Sequence, residues 1–324
     1  VRNAHDEDGE PKERDNGGAE RMLIVVATAL LWYAEGFESY PGKGGEAYVT
    51  HMTSDDYVVG AEILAHSLHA TGTSRPLLAM TTSSLHPNSI FRLKSAGYAI
   101  VHVNEFGDGS KDLDFSRGFF TKLEAWRLPY SRVIYLDTDI LITRNIDHLF
   151  QTARDARFCA VPDSQPHMEG KSPVPNTGLM LISPSNQSYI ELKILAERLG
   201  SPLHDIPFYE QGLIGTYFEN DWTHLPPIYN FCVRYMNRPL YDRVTRGNVA
   251  VVHYAKCKPW DTSLQNLAEL EAKSQGFLEE YRHYITKFHY FASQHKLYTY
   301  PDGIHSLDGV ENDMSEEVHN QRKW

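Results

Sequence analysis

The chain has 324 residues, a length that suits one large domain or two small ones. Its 41% hydrophobic and 23% charged residues are ordinary values for a globular protein with a sizeable core. The formal net charge of −11 argues against a nucleic-acid partner, because binding a phosphate backbone requires a basic surface.

The first 45 residues differ from the rest of the chain. Residues 1–21 carry almost no apolar side chains, so we expect a disordered acidic segment. Residues 22–34 are uncharged and mostly apolar, and three interpretations are open for them: a signal or type II membrane anchor, a buried segment, and a misjudged gene start. An anchor favours the secretory pathway, with the Golgi as the expected location and the cytoplasm as the alternative. Residues 35–45 are rich in glycine and are expected to form a linker.

From residue 46 onward, short apolar runs alternate with segments of helical spacing. Strands are expected at 47–50, 76–81, 98–103, 133–136 and 158–162, and helices at 58–72, 87–96, 118–128 and 183–199. This α/β alternation predicts a mostly parallel, Rossmann-like central sheet flanked by helices, with ligands at the carboxyl ends of the strands. We expect a catalytic domain at 46–262, a C-terminal helical extension at 263–300 and a mobile tail at 301–324.

Two carboxylates, Asp137 and Asp139, follow the strand at 133–136. Side chains alternate along an extended chain, so both point to the same face, about 6–7 Å apart along the backbone. Hard oxygen ligands of this kind suit Mg²⁺ or Mn²⁺ bound together with substrate phosphates. For an isolated D-x-D pattern, an acidic turn at a strand end is the alternative.

A second apolar run, residues 249–252, ends at His253 and is followed by Lys258, Pro259 and Trp260. A histidine can join two aspartates around a divalent ion, and a lysine can hold a phosphate as a point charge. Taken alone, His253 is more often a packed structural histidine. Taken together, the two strand ends predict a cation site that binds a diphosphate.

Six segments in order resemble the glycogenin-like retaining glycosyltransferases, glycosyltransferase family 8. They span about residues 47–260 and read V-T-H-M-T-S-D-D-Y-V-V-G-A, T-K-L-E-A-W-R-L, Y-L-D-T-D, N-T-G, E-Q-G and H-Y-A-K-C-K-P-W. The resemblance implies a nucleotide-sugar glycosyltransferase fold of the A type and a UDP-sugar donor. It also implies Mn²⁺ or Mg²⁺ held by Asp137, Asp139 and His253, and transfer with retention to a hydroxyl of an unknown protein, lipid or glycan acceptor. A homodimer is an open possibility.

The resemblance further implies which side chains surround the donor. Lys122, Gln211 and Glu210 are the catalytic candidates, and Tyr57 is expected to flank the uracil. The full predicted donor-binding set is His51, Met52, Ser54, Tyr57, Arg117, Lys122, Thr138, Asp163, Asn176, Lys256 and Lys258. Each of these roles has a structural alternative. Tyr57 could pack against the helix, Lys122 could be a solvent-exposed helix lysine, and residues 210–211 could simply begin a helix.

Three departures from glycogenin bear on the donor. E-Q-G stands in place of D-Q-G, the loop before Asn176 is longer, and the last motif is one residue shorter, with Lys256 in place of a glycine. Asn237 lies where glycogenin carries its glucosylated tyrosine, so self-glucosylation is not implied. We favour an uncharged hexose, glucose or galactose, as the transferred sugar. The alternative donors are UDP-glucuronic acid and UDP-N-acetylglucosamine. The alternative to an active enzyme is a catalytically weak sugar-nucleotide or glycan-binding protein on the same scaffold.

Overall fold

The computed structural model describes residues 40–106, 116–163, 174–199, 209–219, 221–233, 244–255, 258–261 and 278–294. From Pro41 onward these residues belong to one compact unit. The predicted acidic segment, the anchor-like segment at 22–34 and the tail at 301–324 lie outside the described residues.

The elements of the described ranges follow the predicted α/β alternation. The strands are β1 (Glu46–Met52), β2 (Leu77–Thr81), β3 (Tyr98–His102), β4 (Arg132–Leu136), β5 (Ile140–Ile142), β6 (Phe158–Pro162), β7 (Pro175–Ile182), β8 (Thr223–His224), β9 (Phe231–Cys232) and β10 (Val251–His253). The helices are α1 (Val58–Ala70), α2 (Pro87–Ser95), α3 (Ser116–Phe120), α4 (Asn186–Leu199), α5 (Tyr209–Phe218) and α6 (Leu278–Gln294). No helix in these ranges has both the length and the apolar character of a membrane span.

A seven-stranded sheet forms the centre of the described fold, in the order β3-β2-β1-β4-β7-β6-β8. Its neighbouring strands pair in parallel except around β7, which is antiparallel to both β4 and β6. Every side chain of β4 is buried, as expected for a central strand with helices on both faces. The predicted mostly parallel central sheet is therefore confirmed.

A smaller sheet, in the order β5-β10-β9, begins only three residues after β4 ends. In it β10 pairs antiparallel with β5, so that His253 lies opposite Ile140. Helix α6 packs over this sheet, where the Tyr254 hydroxyl donates a 2.7 Å hydrogen bond to the carbonyl of Tyr284. The small sheet thus joins the chain around Asp139 to the chain around His253.

Besides the helix expected at 183–199, which begins at Asn186, two segments differ in detail from the sequence prediction. The helix expected at 118–128 is α-helical only to Phe120 and continues as a 3₁₀ helix over Thr121–Arg127. Part of the predicted linker, residues 41–45, forms turns bonded to residues 129–131, including Gly44 N–H to the Pro129 carbonyl at 2.8 Å. These backbone bonds fix residues 41–45 to the start of β4.

Candidate active site

The two predicted aspartates and the predicted histidine come together at the end of β4. One potential ligand atom from each of Asp137, Asp139 and His253 lies within 4.8 Å of the others. Asp139 and His253 are 3% and 4% exposed, whereas a quarter of the Asp137 side chain is open to solvent. Two carboxylates and an imidazole, grouped this closely and reachable from one side, fit a divalent cation such as Mn²⁺.

Backbone pairing explains why residues 116 positions apart in sequence meet here. The Asp137 N–H donates to the carbonyl of Gly178 at 2.9 Å, which extends the pairing of β4 with β7 by one residue. The Tyr254 N–H donates to the carbonyl of Asp139 at 2.9 Å, which extends the pairing of β5 with β10. Asp137 and Asp139 are therefore each fixed to a different sheet.

Gly178 makes room for the histidine. A Cβ atom at this position would lie 2.3 Å from Cε1 and 2.6 Å from Nδ1 of His253, closer than real side chains approach. The imidazole therefore lies directly against the backbone of β7. A side chain at residue 178 would displace His253 from the two aspartates.

Each aspartate of this group already contacts a lysine. The Lys258 ammonium donates to Asp139 Oδ2, and the His253 Nε2 atom lies 3.4 Å from Asp139 Oδ1. Burial alone would raise the pKa of Asp139, but the charge of the adjacent Lys258 ammonium outweighs that effect and holds its pKa well below the ordinary range. Asp139 is thus an ionised carboxylate, the form that binds metals.

Lys122 is the second lysine and is buried between two acids. Its ammonium lies 3.2 Å from Asp137 Oδ1 and 2.9 Å from Glu210 Oε1. Burial lowers the pKa of Lys122, yet the attraction of Asp137 and Glu210 is larger and leaves the pKa above its ordinary value. The structural alternative of a solvent-exposed helix lysine is wrong, because the side chain is 2% exposed. Thr177 completes this group by donating a 3.0 Å hydrogen bond to Glu210.

A row of amide groups lies behind His253. The Gly178 N–H donates to Asn176 Oδ1 at 3.0 Å, and Asn230 Nδ2 donates to the same oxygen at 2.8 Å. The other end of that amide, Asn230 Oδ1, lies 2.8 Å from His253 Nδ1. Asn176, a member of the predicted donor-binding set, therefore directs its oxygen to the Gly178 N–H and to Asn230, the residue that contacts the metal-site histidine.

Comparison with known proteins identifies the family of this chain. The family described as Glycosyl transferase family 8 matches residues 49–263, about two thirds of the chain. The chain belongs to glycosyl transferase family 8. It is 32% identical over 236 residues to glycogenin-1 of Caenorhabditis elegans, a match covering 67% of this chain and 51% of that protein.

One further relative and one solved structure are also similar to this chain. A UDP-glucuronate:xylan alpha-glucuronosyltransferase 2 of Arabidopsis thaliana is 29% identical over 229 residues, covering 66% of this chain and 35% of that protein. The chain therefore spans about half or less of the length of these two relatives. A solved structure of galactosyltransferase LgtC with donor and acceptor sugar analogues superposes with a TM-score of 0.57 at 18% identity, covering 79% of this chain and 98% of that one. This likeness shows that the fold is the glycosyltransferase A type.

The structure also shows the contacts of three more predicted residues, Gln211, Asp163 and Tyr57. Gln211 donates from Nε2 to Asp163 Oδ2, which brings a catalytic candidate and a predicted donor-binding residue together at the start of α5. Tyr57 is half-buried, with its ring 6.4 Å from that of Trp260 and 5.8 Å from the Lys258 ammonium. Part of the Tyr57 ring therefore stays open beside the lysine predicted to bind phosphate.

Three residues of the predicted nucleotide loop have structural partners. Ser54 caps the 3₁₀ helix Asp55–Tyr57 by accepting from the Asp56 N–H at 3.3 Å. The Met52 side chain is buried in the main core, so only its backbone is left to contact a nucleotide. His51 lies on β1, with Nδ1 2.5 Å from the Tyr135 hydroxyl and Nε2 2.9 Å from the Gly118 carbonyl.

Tyr135 links His51 to the metal site, because its hydroxyl donates a 2.8 Å hydrogen bond to Asp137 Oδ1. Burial, with a smaller effect of Lys122, lowers the pKa of His51 to about 4. Thr138, between the two aspartates, is buried. The side chain of Arg117 and all of Lys256 lie outside the described residues, so their predicted donor contacts stay predictions.

Several members of this site were missed by the sequence analysis. Tyr135 sits inside an apolar strand and looked like core, and Thr177 and Gly178 were noted only as part of the N-T-G match. Asn230 follows L-P-P-I-Y, which reads as an ordinary loop. A usable signal existed only for Gly178, since a glycine inside a strand often marks a close backbone approach.

Proposed function

We propose that this chain is a metal-dependent retaining glycosyltransferase that moves a hexose from a UDP-sugar to an acceptor hydroxyl. The observation that carries the proposal is the grouping of Asp137, Asp139 and His253 within 4.8 Å, with Lys258 against one aspartate and Lys122 against the other. Family membership supports a nucleotide-sugar donor and a transfer reaction. Metal, donor and acceptor are our inference from the site.

The charges at this site suit a diphosphate leaving group. A divalent cation held by Asp137, Asp139 and His253 would supply positive charge for the oxygens of the departing UDP. The Lys258 side chain is a quarter exposed and lies between Asp139 and the Tyr57 ring, where it can turn to a phosphate. Stabilising charge on the leaving group is usually the largest contribution to this kind of catalysis.

The second half of the site is suited to the sugar. Glu210 contacts Lys122, its neighbour Gln211 contacts Asp163, and carboxylates and amides are common partners of sugar hydroxyls. Glu210 is held by Lys122 and Thr177, so it is positioned to accept hydrogen bonds and poorly suited to attack an anomeric carbon. Retention then follows from departure of UDP and attack of the acceptor hydroxyl on the same face of the sugar.

An uncharged hexose, glucose or galactose, is the favoured donor sugar. Among the described residues beside Glu210, the positive charge is that of Lys122, which is already shared by two carboxylates. A carboxylated sugar would add another negative charge to this buried group at a considerable cost in free energy. UDP-glucuronate is the second candidate, because one relative is named for that donor.

The test is hydrolysis of a panel of UDP-sugars without acceptor, followed as released UDP, with and without Mn²⁺. We expect Mn²⁺-dependent turnover of UDP-glucose or UDP-galactose, and its loss in Asp139→Asn, because the amide is a poor replacement for an ionised ligand. Asp155→Asn, which changes an exposed acid, is the matched control and should keep full activity.

Three results would change the proposal. Full activity of Asp139→Asn, or of the wild-type protein in excess chelator, would refute the proposed metal site. A clear preference for UDP-glucuronic acid would overturn the choice of an uncharged hexose. Tight UDP binding without turnover of any donor, even with candidate acceptors, would favour a sugar-nucleotide-binding protein on this scaffold. The acceptor class, a homodimer and the anchored Golgi location stay predictions.

A further inference from the structure

The amide row behind His253 has a defined direction, because it starts at a group that can only donate. The backbone N–H of Gly178 points at the Asn176 side chain at 3.0 Å, so the Asn176 atom facing it must be the carbonyl oxygen. That oxygen also faces the Asn230 side chain at 2.8 Å, so the Asn230 atom there must be the amide nitrogen.

The same reasoning fixes the proton on the histidine. With its nitrogen directed at Asn176, Asn230 presents its oxygen to His253 Nδ1 at 2.8 Å. An oxygen without a proton requires a donor, so Nδ1 carries the hydrogen. The neutral imidazole then has its lone pair on Nε2, the atom that lies 3.4 Å from Asp139 Oδ1.

We propose that Asn230 is a positioning residue that holds His253 in the Nδ1–H tautomer and thereby keeps Nε2 ready to bind a metal. This inference rests on the proposed metal site. In the other tautomer, an Nε2–H would donate to Asp139 and occupy the position that a cation needs. Asn230 and His253 are 1% and 4% exposed, so solvent is poorly placed to replace this amide.

Asn176 gains a second role from this arrangement. Its oxygen accepts from both the Gly178 N–H and Asn230, so it orients the Asn230 amide. An aspartate at residue 176 preserves an acceptor at that point, whereas an alanine removes it. The pair of variants therefore separates the orienting role from an amide donor role toward a sugar.

The direct test is nitrogen NMR of protein labelled with ¹⁵N-histidine and without metal. The His253 signal is assigned by its loss in His253→Gln, and the expected pattern is a protonated Nδ1 with an unprotonated Nε2. Asn230→Ala should shift this signal toward the Nε2–H tautomer or an average of the two. Asn88→Ala, an exposed asparagine on α2, is the matched control.

Metal affinity is the second readout, followed by the electron paramagnetic resonance signal of free Mn²⁺ at saturating UDP. We expect Asn230→Ala to weaken Mn²⁺ binding by about 10- to 100-fold, the usual effect of losing a hydrogen bond that orients a metal ligand. An unchanged Nδ1–H tautomer or an unchanged Mn²⁺ affinity in Asn230→Ala overturns the proposal. Failure of the wild-type protein to bind Mn²⁺ would instead refute the proposed metal site.

Asn176 provides the test if Asn230→Ala does not fold, since Asn176 is only half-buried. Asn176→Ala should disturb the His253 tautomer, and Asn176→Asp should keep it as in the wild-type protein. An Nε2–H tautomer in Asn176→Asp, or a wild-type tautomer in Asn176→Ala, overturns the proposal.

Discussion

At the scale of single residues, Asp139 contacts two side chains with different predicted roles, a phosphate-binding lysine and a metal-binding histidine. Lys258 and His253 both contact it, and the charge of Lys258 keeps its pKa low despite burial. A cation bound at Asp139 would compete with the Lys258 ammonium for the same carboxylate. Release of Lys258 from Asp139 would leave its charge available to the diphosphate, which links binding of the metal to binding of UDP.

This competition predicts opposite effects of one substitution. Lys258→Ala should weaken UDP binding by about 1.5–3 kcal/mol, the contribution of a charge-assisted hydrogen bond. The same variant should bind Mn²⁺ more tightly than the wild-type protein when UDP is absent, because Asp139 no longer has a competing cation. Calorimetry with each ligand alone measures both quantities.

Lys94→Ala, an exposed lysine near the end of α2, is the control for the loss of one positive charge. It should leave both affinities within experimental error. Unchanged UDP affinity in Lys258→Ala would return this lysine to a structural role, and weaker Mn²⁺ binding without UDP would refute the competition.

The sequence identified much of this site but not its internal contacts. Asp137, Asp139 and His253 could be predicted because each lies at or just after the end of an apolar run, but the sequence did not show that β4 and β10 belong to different sheets. The contact of Lys258 with Asp139 joins side chains 119 positions apart, and local periodicity carries no information on such pairs. Asn230 left no local signal at all, because its role depends on an amide direction set by β7.

At the scale of elements, Gly60 connects the aspartate turn to the lysine-proline-tryptophan segment. It lies inside α1, where a Cβ atom would come 2.5 Å from the carbonyl oxygen of Thr138 and 2.5 Å from the Trp260 ring. Because residue 60 has no side chain, the helix can lie close to both Thr138 and Trp260, one from each half of the site. Helix periodicity in the sequence did not reveal this approach, because a glycine there reads only as a weak helix former.

Two opposing effects decide the outcome of Gly60→Ala. Alanine favours a helix interior by about 1 kcal/mol over glycine, whereas overpacking against a core costs roughly 1–3 kcal/mol or more. The Thr138 carbonyl is backbone and the Trp260 ring is held in the core, so neither can move away easily. We expect a net loss of about 1–2 kcal/mol in the free energy of unfolding, measured by urea denaturation.

Gly247→Ala is the matched control, since a Cβ at that position has no neighbour within 4 Å. It should change stability by less than about 0.5 kcal/mol, as surface substitutions usually do. A Gly60→Ala protein as stable as the wild type or more stable would show that the described contact yields without cost.

At the scale of the whole molecule, the C-terminal helix supports the small sheet of the active site. In α6, Phe288 packs its ring 5.9 Å from Trp260 and 5.4 Å from Tyr254. The predicted helical extension at 263–300 contains α6, Leu278–Gln294. The pattern alone did not show which sheet the helix covers, because an apolar face specifies burial and not a partner.

The last prediction uses a histidine of this helix to test whether α6 unfolds together with the sheet that it covers. His289 is 1% exposed, and burial lowers its pKa from 6.5 to about 4. Between those two pH values the unfolded chain binds a proton that the folded protein does not, so stability falls as the pH is lowered. The loss approaches about 3 kcal/mol near pH 4 at 1.36 kcal/mol per pKa unit. In the His289→Gln variant, residue 289 cannot titrate, so the free energy of unfolding should fall less steeply than that of the wild-type protein between pH 6.5 and 4.

The control is His102→Gln, which changes an exposed histidine on β3 and should keep the wild-type slope. Urea denaturation at several pH values measures these slopes, and equal slopes for His289→Gln and the wild-type protein would contradict the prediction.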